Sequence, residues 1–218
     1  MSVLHAQRSE SRPVSSDLVS AAASLLAVAF RDDPCFGVLL GGATPTSVRH
    51  RLAYPAYFRV AVRDAFAVGH VDGNVVDGKL VAVAAWFDSD DRRPPVDIRR
   101  SADRLLVRLL YPRGLARADA GFTAIATLHP REPHRYLAFV AIDPAVQGRG
   151  FGSALLAPAL EAADRDHIPC YLETPFERTL PFYRRLGFEV RDVVHDAFGL
   201  ATVWTMFRRP LAEGNEVG

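Results

Sequence analysis

Cysteine and lysine are nearly absent from this chain. Its 218 residues hold two cysteines, Cys35 and Cys170, and one lysine, Lys79. Two cysteines so far apart build no disulfide framework, no CxxC redox pair and no zinc site. Seven histidines are present, but none has metal-ligand spacing, so each reads as a surface or hydrogen-bonded residue. Charge of one sign is lacking too: 26 basic residues face 25 acidic ones, for a net charge of +1. Such a balance supplies no field to hold nucleic acid or an anionic membrane. Glycine and proline, 15 of each, set no collagen-like period. Leu18 to Phe30 (LVSAAASLLAVAF) is far shorter than the ~20 apolar residues that span a bilayer. Disulfide scaffolds, collagen-like chains and multi-span membrane proteins are thereby excluded.

What remains suits an ordinary folded domain. Hydrophobic residues make up 49% of the chain and charged ones 23%, enough to bury a core. The length fits one domain over residues 15–209, with loose tails at 1–14 and 210–218. The segment Leu18 to Phe30 follows Arg8 and Arg12 and imitates a secretory signal. Its other reading is an amphipathic first helix, capped by Ser16 or Asp17, with Leu18, Ala22, Leu25 and Ala29 on the inner face. Without a disulfide pattern to support export, the helix and a cytoplasmic location are expected.

Residues 47–66 form a second helical pattern with Pro55 as a bend point, and Asp77-Gly78 joins strands 71–76 and 80–87 as a hairpin. The stretch from Asp88 to Pro95 reads as a solvated loop, and residues 96–128 as mostly helical. Arg99, Arg100, Arg104 and Arg108 are expected on a solvated helix face. The C-terminal half is more regular. A strand over 136–142 stops at Asp143-Pro144. A glycine-rich turn leads into a helix over 150–166, whose inward face is Leu155, Leu156, Ala159, Leu160 and Ala163. A strand over 170–173, a short helix ended by Gly187, and strands 188–194 and 201–208 follow. This alternation gives an α/β fold, a mixed central sheet flanked by helices.

The informative segment is Gln147-Gly148-Arg149-Gly150-Phe151-Gly152, followed by Ser153 at the helix start. Between a buried strand and a helix it offers backbone N–H groups without helical partners. Glycines let an anion approach, and Arg149 and the helix N-terminus favour negative charge. A pyrophosphate is the expected guest; a plain tight turn is the alternative. The segment lacks the Gly-Lys-Ser/Thr of a P-loop, and its glycines miss the GxGxxG spacing of a dinucleotide site.

The pattern Q-x-x-G-x-G after a strand and an Asp-Pro turn resembles motif A of the GNAT superfamily of N-acetyltransferases. The strand Tyr171-Leu172-Glu173-Thr174 and the run Leu180-Pro181-Phe182-Tyr183-Arg184-Arg185-Leu186-Gly187-Phe188 follow at the family's distances. With Pro158 inside the long helix, they also resemble the puromycin N-acetyltransferase-like branch. The resemblance implies acetyl-CoA as co-substrate, bound at the splayed middle of the sheet. Val140, Ala141 and Ile142 match the strand that pairs with the pantetheine arm, and Gln147, Gly148, Arg149, Gly150, Phe151, Gly152 and Ser153 match the pyrophosphate loop. Tyr183 matches the tyrosine that protonates the departing thiolate; its plain alternative is a core aromatic. Thr179 departs from the asparagine of many relatives, and its hydroxyl is expected to cap the next helix.

An acceptor amine must lose a proton before it attacks. Glu173 is the candidate base, with pairing to an arginine as its alternative role. Cys170 reads as a small buried residue, with a covalent acetyl-cysteine as the other route. By resemblance, Phe30, Asp32, Asp33, Phe36, Tyr54, Tyr57 and Phe58 line the acceptor pocket, or else belong to the core and a solvated loop. The implied function is acetyl transfer to a small-molecule amine in a ternary complex. A non-catalytic acyl-CoA-binding module and acetylation of protein amines are the alternatives. Sheet-edge dimers among relatives make a homodimer compatible with the resemblance.

Overall fold

The computed structural model describes residues 11–39, 47–88, 102–112, 127–197 and 201–211. Among them the strands are β1 (Arg12–Pro13), β2 (Gly69–Val76), β3 (Lys79–Asp88), β4 (Arg135–Ile142), β5 (Cys170–Thr174), β6 (Glu189–Ala197) and β7 (Ala201–Arg208). The helices are α1 (Val19–Ala29), α2 (Pro34–Leu39), α3 (Val48–Val68), α4 (Ala102–Leu110), α5 (Phe151–Arg165) and α6 (Leu180–Arg185). One sheet runs in the order β1-β2-β3-β4-β5-β7-β6. Every pairing is antiparallel except β4 with β5. None of the described helices is long and apolar enough to cross a membrane.

Strand β3 explains why both faces of the sheet are covered. Its residues Leu80 to Trp86 are all buried, a continuous run that only a two-sided sheet requires. Val83 and Ala85 face a cluster built from α1, α2 and α3, with Val107 and Tyr111 at the end of α4. Ala82, Ala84 and Trp86 face a second cluster under α5, where Leu155, Leu156, Ala159, Leu160 and Ala163 pack as their helical spacing requires. The β2–β3 hairpin turns at Asp77 (φ 50°) and Gly78 (φ 76°), the two positive φ values of a two-residue turn.

Several expectations need correction. Neither Ser16 nor Asp17 caps α1: a 3-10 turn over Ser16–Leu18 precedes it, with no side-chain cap. The buried face of α1 is Val19, Ala22, Ala23 and Leu26. A segment so rich in alanine has little polar contrast to fix its rotation. The chain is tied before residue 15. Arg12 and Pro13 pair with Gly73 and Asp72 at the sheet edge, where proline is tolerated, and Val14 N–H donates to Val71 O (2.8 Å). At the other end Leu211 N–H donates to Asp164 Oδ1 (2.8 Å), inside the stretch expected to be a tail. Helix α3 runs through Pro55. Burying Ala53, Tyr54, Ala56, Tyr57 and Phe58 outweighs the ~3 kcal/mol that an interior proline costs. Most of the 88–95 loop lies outside the described residues, as do Arg99, Arg100 and the side chain of Arg104; Arg108 is exposed.

Candidate active site

The site begins where two strands part. β4 and β5 pair in parallel only at Arg135↔Cys170 and Tyr136↔Tyr171. Beyond that point β4 runs on to Ile142, still paired with β3 as far as Ala82↔Ile142, while β5 stays with β7. The β5-facing edge of β4 from Leu137 onward is therefore open. The register of β4 against β3 slips between Leu137 and Phe139, opposite Trp86 and Ala85, which leaves Ala138 as the extra residue. A bulge bends a strand and increases its twist, and here it stands at the point of separation. Val140, Ala141 and Ile142 carry peptide groups along that open edge, a template for an extended amide chain.

The turn that follows is held tightly. Asp143 Oδ1 accepts from Ala145 N–H (3.0 Å), and Lys79 Nζ donates to Asp143 Oδ2 (2.6 Å). Gln147 Nε2 donates to the Ile142 carbonyl (3.1 Å), so this side chain braces the turn and its backbone is what remains to offer a ligand. Gly148 (φ 76°) and Gly150 (φ 86°) adopt left-handed backbone, and a Cβ on either would stand in open space. The first bond of α5 along the helix is Ala154 N–H to Gly150 O (3.0 Å). The amides of Phe151, Gly152 and Ser153 thus precede it without helical partners. A Cβ on Gly152 would lie 3.1 Å from the Phe182 ring, so the helix start packs directly on α6. Arg149 and Ser153 are exposed, and Phe151 is half-buried. An anion seated there would meet amides, a helix N-terminus and a guanidinium.

Tyr183 and Glu173 lie on opposite faces of the sheet. Tyr183 packs on α6 beside Phe182 and Phe188, against the cluster that contains Leu172, Val140 and Ile142. Its hydroxyl has no hydrogen-bond partner among the described residues, and burial pushes the phenol up to about 12. At neutral pH it stays protonated, a donor rather than a base. Glu173 follows Leu172 on β5 and so points to the other face. There His129 Nε2 lies 2.8 Å from Glu173 Oε1. This close contact lacks the alignment of a hydrogen bond, which leaves Oε1 buried without one. The alternative role of Glu173, pairing with an arginine, finds a histidine in that place.

Around Glu173 stand Tyr171, whose phenol is raised by burial and by the Glu173 carboxylate, and Cys35, whose thiol burial, Asp33 and Glu173 push up to about 12. Asp33 is buried and caps α2, accepting from the Cys35 and Phe36 amides at 2.8 and 3.3 Å. Burial raises its carboxyl to about 6 against the lowering effect of those amides and of Arg178. The expected acceptor pocket is thus divided. Phe36, Tyr54, Tyr57 and Phe58 are core, Tyr54 donates to the Phe30 carbonyl, and Asp32 is exposed. Phe30 packs on Phe139 of β4 (centroids 5.8 Å), which brings the α1–α2 turn over the open strand. Thr179 does not cap α6. Its hydroxyl donates to Phe176 O (2.7 Å) and contacts Thr174 Oγ1 (2.9 Å). Cys170 is fully buried, its thiol raised by burial to about 11, which disfavours a nucleophilic thiolate.

Residues 43–188 match the Acetyltransferase (GNAT) family. The chain belongs to that family. This GNAT protein is 34% identical over 86 residues to an uncharacterized N-acetyltransferase of Schizosaccharomyces pombe, over 39% of this chain and 31% of the relative. A second such yeast protein is 28% identical over 74 residues, 34% of this chain and 30% of its own length. The matched stretches thus span about a third of these curated relatives. A histone acetyltransferase HPA2 and related acetyltransferase from Corynebacterium glutamicum is similar in structure. It is 25% identical, with a TM-score of 0.67 over 93% of this chain and 96% of that one. A polyamine N-acetyltransferase of Drosophila melanogaster that forms N-acetylagmatine shares the fold, at 14% identity and a TM-score of 0.59 over 91% and 98% of the two chains.

Proposed function

We propose that this GNAT protein transfers an acetyl group from acetyl-CoA to a primary amine of a small molecule, by direct attack in a ternary complex. One observation carries the reading: the gap between β4 and β5 opens beside unpartnered helix amides, with a carboxylate on one face and a protonated phenol on the other. The open volume over Gly148 and Gly150 suits a diphosphate, and the free edge of β4 suits the amides of a pantetheine arm. The thioester supplies the acetyl group and a thiolate leaving group. Glu173 takes a proton from the acceptor ammonium, and a β4 amide between Val140 and Ile142 receives the negative charge that develops on the carbonyl oxygen. Tyr183 donates its proton toward the sulfur on the far face.

Asp33 and Glu173 near the α1–α2 turn favour a cationic acceptor. The resemblance of the YLET and PFY segments to the puromycin N-acetyltransferase-like branch also supports a small amine. Thiol release from acetyl-CoA is the assay, with agmatine, spermidine, phenethylamine, puromycin and a lysine-bearing histone peptide as acceptors. Turnover with a small amine is the expected result. Turnover with the peptide alone would move the acceptor class to protein amines. Coenzyme binding without turnover on any acceptor would make the protein an acyl-CoA-binding module.

A further inference from the structure

Phe30 and Cys35 fasten the α1–α2 turn to opposite sides of the gap in the sheet. The Phe30 ring packs on Phe139 of β4 (centroids 5.8 Å), whereas Cys35 packs with Val194 of β6 and Val203 of β7. In the sheet order β4 and β7 flank β5. Residues 31–34 therefore cross above the place where β4 and β5 part. They do so on the face to which Glu173 points, because Glu173 pairs with Thr205, two residues from Val203 on β7.

Asp33 stands in the middle of this span. It is 3% exposed, and the two amides it caps, of Cys35 and Phe36, both donate to Oδ1, at 2.8 and 3.3 Å. Oδ2 accepts no hydrogen bond among the described residues. It has no ion pair among them either, since Arg178, the cation that acts on it, lies over the Phe176 ring at 4.1 Å. Capping does not account for a charge here: asparagine caps a helix equally well and spares the cost of burying a carboxylate. On the floor of the gap Glu173 Oε1 is likewise buried without a hydrogen bond, with 9% of its side chain exposed. The Cys35 thiol feels both charges. Buried acceptors without donors are costly, and roof and floor lack the same thing, a cationic donor. A primary ammonium offers three N–H groups, one for each oxygen and one to spare.

We infer that Asp33 binds the acceptor ammonium through Oδ2 from the roof of the gap, opposite Glu173, and so selects acceptors that arrive as cations. The inference rests on the acetyl-transfer reading of the site and adds a residue that sets its specificity. Asp33 holds the charge and transfers no proton. The groups facing it are Cys35 on α2, Tyr54 on α3, Arg178 after β5, and Glu173 on the far side of Cys35. Burial raises the Asp33 carboxyl to about 6 in the empty site, so ammonium binding weakens as pH falls through that value.

The test uses the full chain and whichever acceptor of the amine panel the wild type turns over fastest. Asp33→Asn keeps the cap and removes the charge. At pH 8 it should raise KM for the acceptor at least about tenfold and up to ~100-fold, the worth of one hydrogen bond to a charged group. KM for acetyl-CoA should stay within about twofold, and Tm should be no lower than that of the wild type. Calorimetric titration of the CoA-loaded protein with the same amine should show the same loss in Kd. Protonating Asp33 should have the effect of the substitution, so the ratio of variant to wild-type KM should shrink about tenfold from pH 8 to pH 5. A ratio that does not change with pH, a smaller rise in acceptor KM at pH 8, or a lower Tm makes the carboxylate structural and overturns the inference. If the wild type binds acetyl-CoA but turns over no acceptor, the acetyl-transfer reading falls and Asp33 with it. A wild type that turns over beside a variant of unchanged acceptor KM removes only the role of Asp33.

Discussion

Gly150→Ala separates the two demands made on the glycine-rich turn. Gly150 has φ 86° and a Cβ there meets nothing within 4 Å, so the substitution brings backbone strain without a clash. Left-handed backbone costs a non-glycine residue about 1–2 kcal/mol. In a chain of this length each kcal/mol shifts Tm by roughly 2–4 °C, so Tm should fall by ~2–8 °C. Binding should suffer more. The new methyl stands in the open space where a diphosphate would approach the amides of α5. Loss of even one hydrogen bond to a charged group costs about 1.5–3 kcal/mol, which is ~10–100-fold in affinity. Gly78→Ala is the matched control: φ is 76°, nothing lies within 4 Å, and the residue sits in the β2–β3 turn. Thermal melts and acetyl-CoA titration calorimetry on both variants read the two effects. Gly78→Ala should lose Tm alone. A Gly150→Ala protein that binds acetyl-CoA as tightly as wild type would refute the diphosphate seat.

Three further substitutions address the chemistry and the fold around it. Tyr183→Phe removes a hydroxyl without a hydrogen-bond partner among the described residues, so Tm should hold while kcat falls about tenfold, at the low end for a general acid; full activity would take Tyr183 out of the reaction. Glu173→Gln should lower kcat by about 10²-fold or more with acetyl-CoA affinity unchanged, and equal kcat in steady-state assays would reassign the base. Asp33 supplies a pH test. Its folded-state pKa, about 6, lies above the unfolded value of 3.8, so stability is fullest at low pH and is lost as pH rises through about 6. At pH 8 that amounts to about 3 kcal/mol. Asparagine is an equally good helix cap without the charge. Asp33→Asn should be more stable than wild type in denaturant at pH 8, with the gain vanishing towards pH 4. A difference independent of pH would contradict the burial argument.

The parts of this site that the sequence makes legible are the local ones. The apolar run over 136–142, the turn around Gly148 and Gly150, and the inner face of α5 are each set by neighbours within a few residues, and the structure has them in place. Contacts between distant segments leave no such trace. His129 and Glu173 are 44 residues apart in sequence, and only the pairing of β4 with β5 brings them to 2.8 Å. The bulge at Ala138, which marks where those strands part, carries no glycine or proline to announce it. The aromatic residues between Phe30 and Phe58 are consistent with either pocket or core by composition, and packing against β3 and β4 sends most of them to the core. The Thr179 hydroxyl had nearer partners in Phe176 and Thr174 than the helix it precedes.

The account stands on a coenzyme held by its diphosphate against the start of α5. Calorimetric titration of the wild-type chain with CoA, and in parallel with pantetheine, tests this most directly. CoA should bind at least about tenfold more tightly, the share expected of one or more charge-assisted amide contacts. Equal affinities for the two ligands, or no heat from CoA at millimolar concentration, would contradict it.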